Sequence, residues 1–328
     1  MKFSTEVEIK PSQEKIDYNS PVMFTGSCFA EEIGRQLSYG KMKVLTNPFG
    51  VLYNPLSTSH SLELIIEGKY FTKEDLYRYE DRYLSFSHDT SFSSRDINES
   101  LNKINHSVMN ARNFLSDASF LFVTFGTAWI YRWKVDNRVV ANCHKIPSLR
   151  FTRQLLKQAD ITARWLEIVE RLKGFNNELT IVFTISPVRH LKDGAHGNQL
   201  SKSILMTSIN ELISSNGQLS YFPSYEIMMD ELRDYRFYKK DMVHPSEAAL
   251  EYIWKRFREC YFTGDSDKLY DRVVKITEAT RHILNGSDSQ DNSRFSKSML
   301  NKIDKLLSDY PNIDLNREKT YFKNLLEK

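Results

Sequence analysis

Short apolar runs rich in β-branched and aromatic residues alternate along this chain with segments of helical period. That alternation predicts βαβ units on a mostly parallel sheet, an α/β architecture. The first run, at 22–25, leads into Gly26, and Phe29, Ile33 and Leu37 then recur every four residues until Gly40 supplies a helix stop. A second strand is expected at 42–45, running into the loop Asn47-Pro48-Phe49-Gly50, with a helix over 56–67. The aromatic and charged stretch 70–95 has weak periodicity and reads as an insertion over the sheet edge. A helix over 97–115 precedes the strongest buried-strand candidate, 120–125, ended by Gly126. The spacing then predicts a hairpin over 129–142, one long helix over 152–173 and a strand over 179–185 that ends at Ser186-Pro187. A polar loop with Gly194 and Gly197 follows, then a helix over 199–214, a short strand at 219–222 and a helix opening after Pro245.

Composition supplies the means for such a core, since 41% of the 328 residues are hydrophobic and 27% charged. The pattern changes near residue 264, which divides the chain into an α/β unit, 1–264, and a helical extension, 265–328, with a polar linker near 285–296. A net charge of +3 without a long basic run argues against nucleic acid as a partner. Cys28, Cys143 and Cys260 are odd in number and lack CxxC spacing, which fits a reducing compartment better than disulfides or a structural metal. With no apolar stretch long enough for a leader or a membrane span, the sequence predicts a cytoplasmic chain without a membrane partner.

Reactive side chains collect where the predicted strands end: Ser27 after the first, Thr127 after the third, Ser186 after the fourth. In open α/β sheets that edge binds ligands. Asp241 and His244 stand three apart just before the last helix of the unit. A nucleophile at a strand-to-helix turn with a late Asp/His pair has the logic of a serine hydrolase, in which His takes the hydroxyl proton and Asp holds the imidazole. Each residue also has a plainer reading: Ser27 as a helix N-cap, Asp241 as a helix-entry acid, Cys28 as a small buried hydrophobe. Cys143-His144 supplies too few ligands for a metal site. Trp129, Tyr131 and Trp133 alternate along one strand face, as a sugar platform or as a contact with the main unit.

Thr25-Gly26-Ser27-Cys28-Phe29-Ala30 contains the string GSCFA, and the chain resembles the GSCFA family, a branch of the SGNH-like (GDSL-type) hydrolases. Asn47-Pro48-Phe49-Gly50, Phe125-Gly126-Thr127-Ala128-Trp129, Asn142-Cys143-His144-Lys145, Ser186-Pro187-Val188-Arg189-His190 and Asp241-Met242-Val243-His244-Pro245 extend the resemblance over 20–260. It implies a flavodoxin-like three-layer α/β/α domain, a serine hydrolase acting on an O-acyl ester of a carbohydrate or related polar molecule, and no cofactor or metal. Ser27, Asp241 and His244 take the catalytic positions, with oxyanion donors from the backbone at Ser27 or Cys28 and at Gly50. Asn47, Thr127, Trp129 and His190 would line the pocket.

Two departures stand out. Thr25-Gly26-Ser27 replaces the usual Gly-Asp-Ser, and Ala128 stands where the third sequence block of the superfamily carries an oxyanion-binding Asn. Asn142, His144 and Asn47, in that order, are the candidate replacements. An O-acyltransferase on the same fold, or a degenerate module that only binds a glycan or a protein, would carry the same landmarks.

Overall fold

The computed structural model describes residues 5–281 and 289–326. Five parallel strands form the central sheet: β1 (Val22–Gly26), β2 (Val44–Thr46), β5 (Phe120–Phe125), β9 (Thr180–Ile185) and β10 (Leu219–Phe222), in spatial order β2-β1-β5-β9-β10. Counting sheet strands alone in chain order, this is 2-1-3-4-5, the flavodoxin-like arrangement, and its topological switch point lies between β1 and β5. Val22 to Gly26 pair in register with Phe120 to Thr124 across that point.

Strand alternation sorts the side chains into two layers. Met23, Leu121, Val123, Phe125, Ile181 and Phe183 face α2 (Pro55–Glu67), α3 (Ile97–Asp117), α4 (Gln158–Phe175) and α5 (Gly194–Ser215). Val22, Phe24, Phe120, Phe122, Val182 and Phe222 face α1 (Cys28–Tyr39) and α7 (Glu247–Tyr261), which follows the single turn α6 (Ser224–Glu226). Both faces are covered, so these strands read as continuous apolar runs.

The 70–95 stretch contains the hairpin β3 (Tyr77–Tyr79) and β4 (Arg82–Leu84). Beyond β5, β6 (Trp129–Trp133) pairs antiparallel with β7 (Val139–Val140) and also with β8 (Phe151–Leu155). The single helix expected over 152–173 is therefore wrong at its start: Phe151 and Leu155 match helical spacing, but the alternating segment pairs with β6, and α4 begins only at Gln158. Two smaller differences concern element bounds. The second strand is shifted to 44–46, and Gly194 and Gly197 belong to the first turn of α5 rather than to a loop.

α8 (Gly264–Ala279), α9 (Ser289–Asp309) and α10 (Asn316–Leu326) share a separate apolar cluster around Val273, Ile303 and Phe322. The linker expected at 285–296 is helical from 289, and 285–288 lie outside the described residues. The chain's leading segment runs beneath α7: Ile16 bridges Phe262, the Val7 N–H donates to Glu231, and Arg256 holds both the Val7 carbonyl and Glu231. Among the described residues no helix is long and apolar enough to cross a membrane.

Candidate functional site

Gly26 ends β1 at φ +124°, and a Cβ there would stand 2.1 Å from the Thr124 carbonyl oxygen; only glycine admits this approach of the two central strands. Ser27 follows immediately as the N-cap of α1, its Oγ accepting from the Phe29 N–H at 3.3 Å. The side chain is fully buried. Cys28, one step into the helix, is half-buried, and burial together with Glu31 and Glu32 pushes its thiol above the usual range.

The expected backbone donors are mostly committed. Ser27 N–H donates to Thr124 O at 3.1 Å and Gly50 N–H to Asn47 O at 2.8 Å, which leaves Cys28 of the three. Gly50 sits at φ +77° over Asp89, whose carboxylate accepts from the Val51 N–H. Asn47 takes a left-handed backbone so that its Oδ1 accepts from Gly26 N–H at 2.9 Å, while its Nδ2 is buried without a partner.

Asn142 and His144, the first two candidate oxyanion donors, bond to each other and to the insertion. Asn142 Oδ1 accepts from the His144 N–H, and the His144 ring bonds Ser85 O through Nε2 at 2.9 Å and lies 3.5 Å from Ser93 Oγ through Nδ1. A left-handed turn at His144 and Lys145 directs these bonds into the insertion, and none reaches Ser27. Thr127 is likewise occupied, by Ser201 of α5 and by the Trp129 N–H. Arg153, paired with Asp193, lies over the rings of Trp129 and Tyr131, and Trp133 is buried against Phe86 and Phe151. Trp133 thus packs within the protein, while Trp129 and Tyr131 stay partly exposed.

Asp241 and His244 form a bonded pair on the loop before α7. Asp241 Oδ2 accepts from His244 Nδ1 at 2.7 Å, and Oδ1 accepts from the backbone N–H groups of His244 and Val243, both at 3.0 Å. Those two backbone donors, then the ring, hold the carboxyl down at about 2. With Nδ1–H donated to Asp241, the second ring nitrogen, Nε2, is left to accept, and no described residue engages it. The Arg189 N–H donates to Val243 O at 3.3 Å and ties this loop to the one after β9.

His190, on that second loop, lies near Ser27. Within 3.4 Å of the point where a Gly126 side chain would begin lie His190 Nε2, at 3.2 Å, Ser27 Cβ, at 3.4 Å, and the Tyr53 carbonyl, at 3.0 Å. Beneath them Lys202 of α5 is completely buried and donates to Gly126 O at 2.9 Å and Ser186 O at 2.7 Å, joining the ends of β5 and β9. Burial lowers its pKa to about 7. Neither Lys202 nor Asp89 was singled out from the sequence, although Lys202 sits at helical spacing from Leu205, Ile209 and Leu212 and so falls on the buried stripe of α5. Among the described residues no three His, Cys, Asp or Glu side chains gather as a metal ion would require.

The profile of the GSCFA family matches residues 21–257, most of the chain. The chain belongs to the GSCFA family. The matched span runs from the residue before β1 into α7 and so takes in the whole sheet and every site residue named above. No curated protein matches the sequence. Among solved structures, an acetyl xylan esterase from the rumen bacterium Butyrivibrio proteoclasticus is similar at 9% identity with a TM-score of 0.36. The similarity covers 78% of this GSCFA chain but 65% of that enzyme, so the chain spans somewhat less than two thirds of it.

Proposed function

We propose that this protein is a serine hydrolase that removes an O-acyl group from a carbohydrate or a related small polar alcohol. The observation that carries the reading is the Asp241–His244 pair, preassembled with Nε2 left to accept, on a loop tied to the one that borders Ser27 at the switch point of the sheet. Ser27 Oγ attacks the ester carbonyl while His244 Nε2 takes its proton. Collapse of the tetrahedral intermediate expels the alcohol with that proton, and water repeats the sequence on the acyl-enzyme. Asp241 keeps the ring in the accepting tautomer and balances the imidazolium. Cys28 is the weaker candidate nucleophile, because burial and two nearby carboxylates disfavour its thiolate.

The test is fluorophosphonate labelling alongside turnover of a panel of acyl esters. Labelling and hydrolysis are expected in the wild type and in Cys28→Ala, and neither in Ser27→Ala. Inactivation by iodoacetamide of a Ser27→Ala variant that still turns over would move the chemistry to Cys28. A second reading, a module that binds a glycan without cleaving it, is favoured by the full burial of Ser27 and its capping bond to Phe29. It predicts no labelling at all, with glycan binding unaffected by Ser27→Ala.

A further inference from the structure

A buried polar nitrogen without a partner is rare in a folded protein, because its lost hydration is not replaced. His190 Nε2 is such an atom, and it packs beside Gly126, where a Cβ would stand 3.2 Å from Nε2 and 3.4 Å from Ser27 Cβ. Ala128 lacks the side-chain donor that the superfamily's third sequence block ordinarily supplies, and the backbone donors at Ser27 and Gly50 are already spent. We propose that His190 supplies, through Nε2–H, the side-chain hydrogen bond to the oxyanion formed when Ser27 attacks an ester. The proposal rests on the serine-hydrolase reading.

Three features fit a fixed donor. The His190 backbone N–H is held by Asn198 Oδ1 at 2.9 Å, and the ring meets Tyr53 edge-on at 5.4 Å, so backbone and ring are each held once. Gly126 carries no side chain, and because a Cβ there would crowd both Nε2 and Ser27, the glycine lets the two lie near each other. The ring is also kept neutral: burial first, then the positive charge of Lys202, with His244 and Arg153 adding and Asp193 opposing, brings its pKa to about 4. A neutral imidazole donates to a developing oxyanion without surrendering its proton, so no proton is transferred and His244 alone carries the serine's. As Ser27 Oγ bonds to carbon, the carbonyl π pair moves onto oxygen, where Nε2–H meets it. When the oxyanion reforms the carbonyl and the alcohol departs, that hydrogen bond weakens again.

His190→Phe keeps the ring against Tyr53 and removes the donor, while His190→Gln restores an N–H. With p-nitrophenyl acetate as the probe, His190→Phe is expected to lower kcat by ~10²–10³, the usual effect of losing one oxyanion donor, with KM little changed. His190→Gln should recover much of that loss, a rescue that a purely packing role would not produce. A His190→Phe enzyme that is folded and retains wild-type kcat, or whose loss falls wholly in KM, overturns the role of His190 and leaves the hydrolase reading standing. A wild type that neither hydrolyses the probe nor takes a fluorophosphonate overturns both.

Discussion

Lys202 is held in a position where its charge is costly. Its folded pKa, about 7, lies below the ordinary lysine value, so between pH 7 and pH 10 the unfolded chain binds more protons than the folded one. Stability from this residue therefore rises with pH across that window, by up to about 1.4 kcal/mol per pH unit. Urea unfolding at several pH values from 7 to 9.5 should give a steeper rise for the wild type than for Lys202→Met; equal slopes would contradict the assignment. At low pH the methionine variant gains from removing a buried charge and loses the two bonds to Gly126 O and Ser186 O. The sequence displays Lys202 only as a cation on an apolar stripe, and the reason for it, two carbonyls at the ends of β5 and β9, exists only after the strands are paired. His190 is similar. Its place in Ser186-Pro187-Val188-Arg189-His190 marks it for the pocket, but that Nε2 faces Gly126 depends on the loop's path through Asn198 and Arg189.

At the scale of elements, the parallel strands were legible because burial on both faces leaves uninterrupted apolar runs, and the 2-1-3-4-5 order followed from the resemblance rather than from any run. β8 was not legible, because Phe-Thr-Arg-Gln-Leu satisfies both periods until a partner decides between them, and β6 is that partner. The places of Ser27, Asp241 and His244 at a strand-to-helix turn and on a short loop before a helix were legible because they are set locally. The donors around them were not, since His144 is drawn into the insertion by contacts with Ser85 and Ser93 far away in sequence, and Asn142 Oδ1 bonds back to the His144 N–H. The docking of α10 is a tertiary matter as well: Glu318, nearly buried, pairs with Lys41 at 2.6 Å just beyond the C-terminus of α1. Lys41→Met should leave that carboxylate short of its partner and cost about 1–3 kcal/mol, given that the lysine itself is partly solvated. The effect should appear as faster hydrogen exchange in α10 while the amides of β1 and β5 keep their protection; an unchanged exchange pattern would show that the pair contributes nothing.

For the molecule as a whole, the two apolar layers meet through one sheet, so loss on either side is felt at the switch point. The leading segment is fastened to the α7 side through Arg256, Glu231 and the bridge at Phe262. Removing residues 1–15 strips the Val7 carbonyl from Arg256 and the Ser12 N–H from Cys260 O, and should lower the thermal midpoint by several degrees, on the scale of about 1–2 kcal/mol for a few lost bonds. A midpoint unchanged within error would mean that the segment only rests on the surface. The same fastening sets an order of events during biosynthesis. Val7 and Ile16 have partners between 231 and 262, among the last of the α/β unit to be made, and β1 waits for β5 about a hundred residues on. A nascent chain therefore emerges with β1 unpaired on its β5 side and the segment before it untethered, and that interval, rather than the finished protein, is when the apolar run Val22-Met23-Phe24 most needs a chaperone.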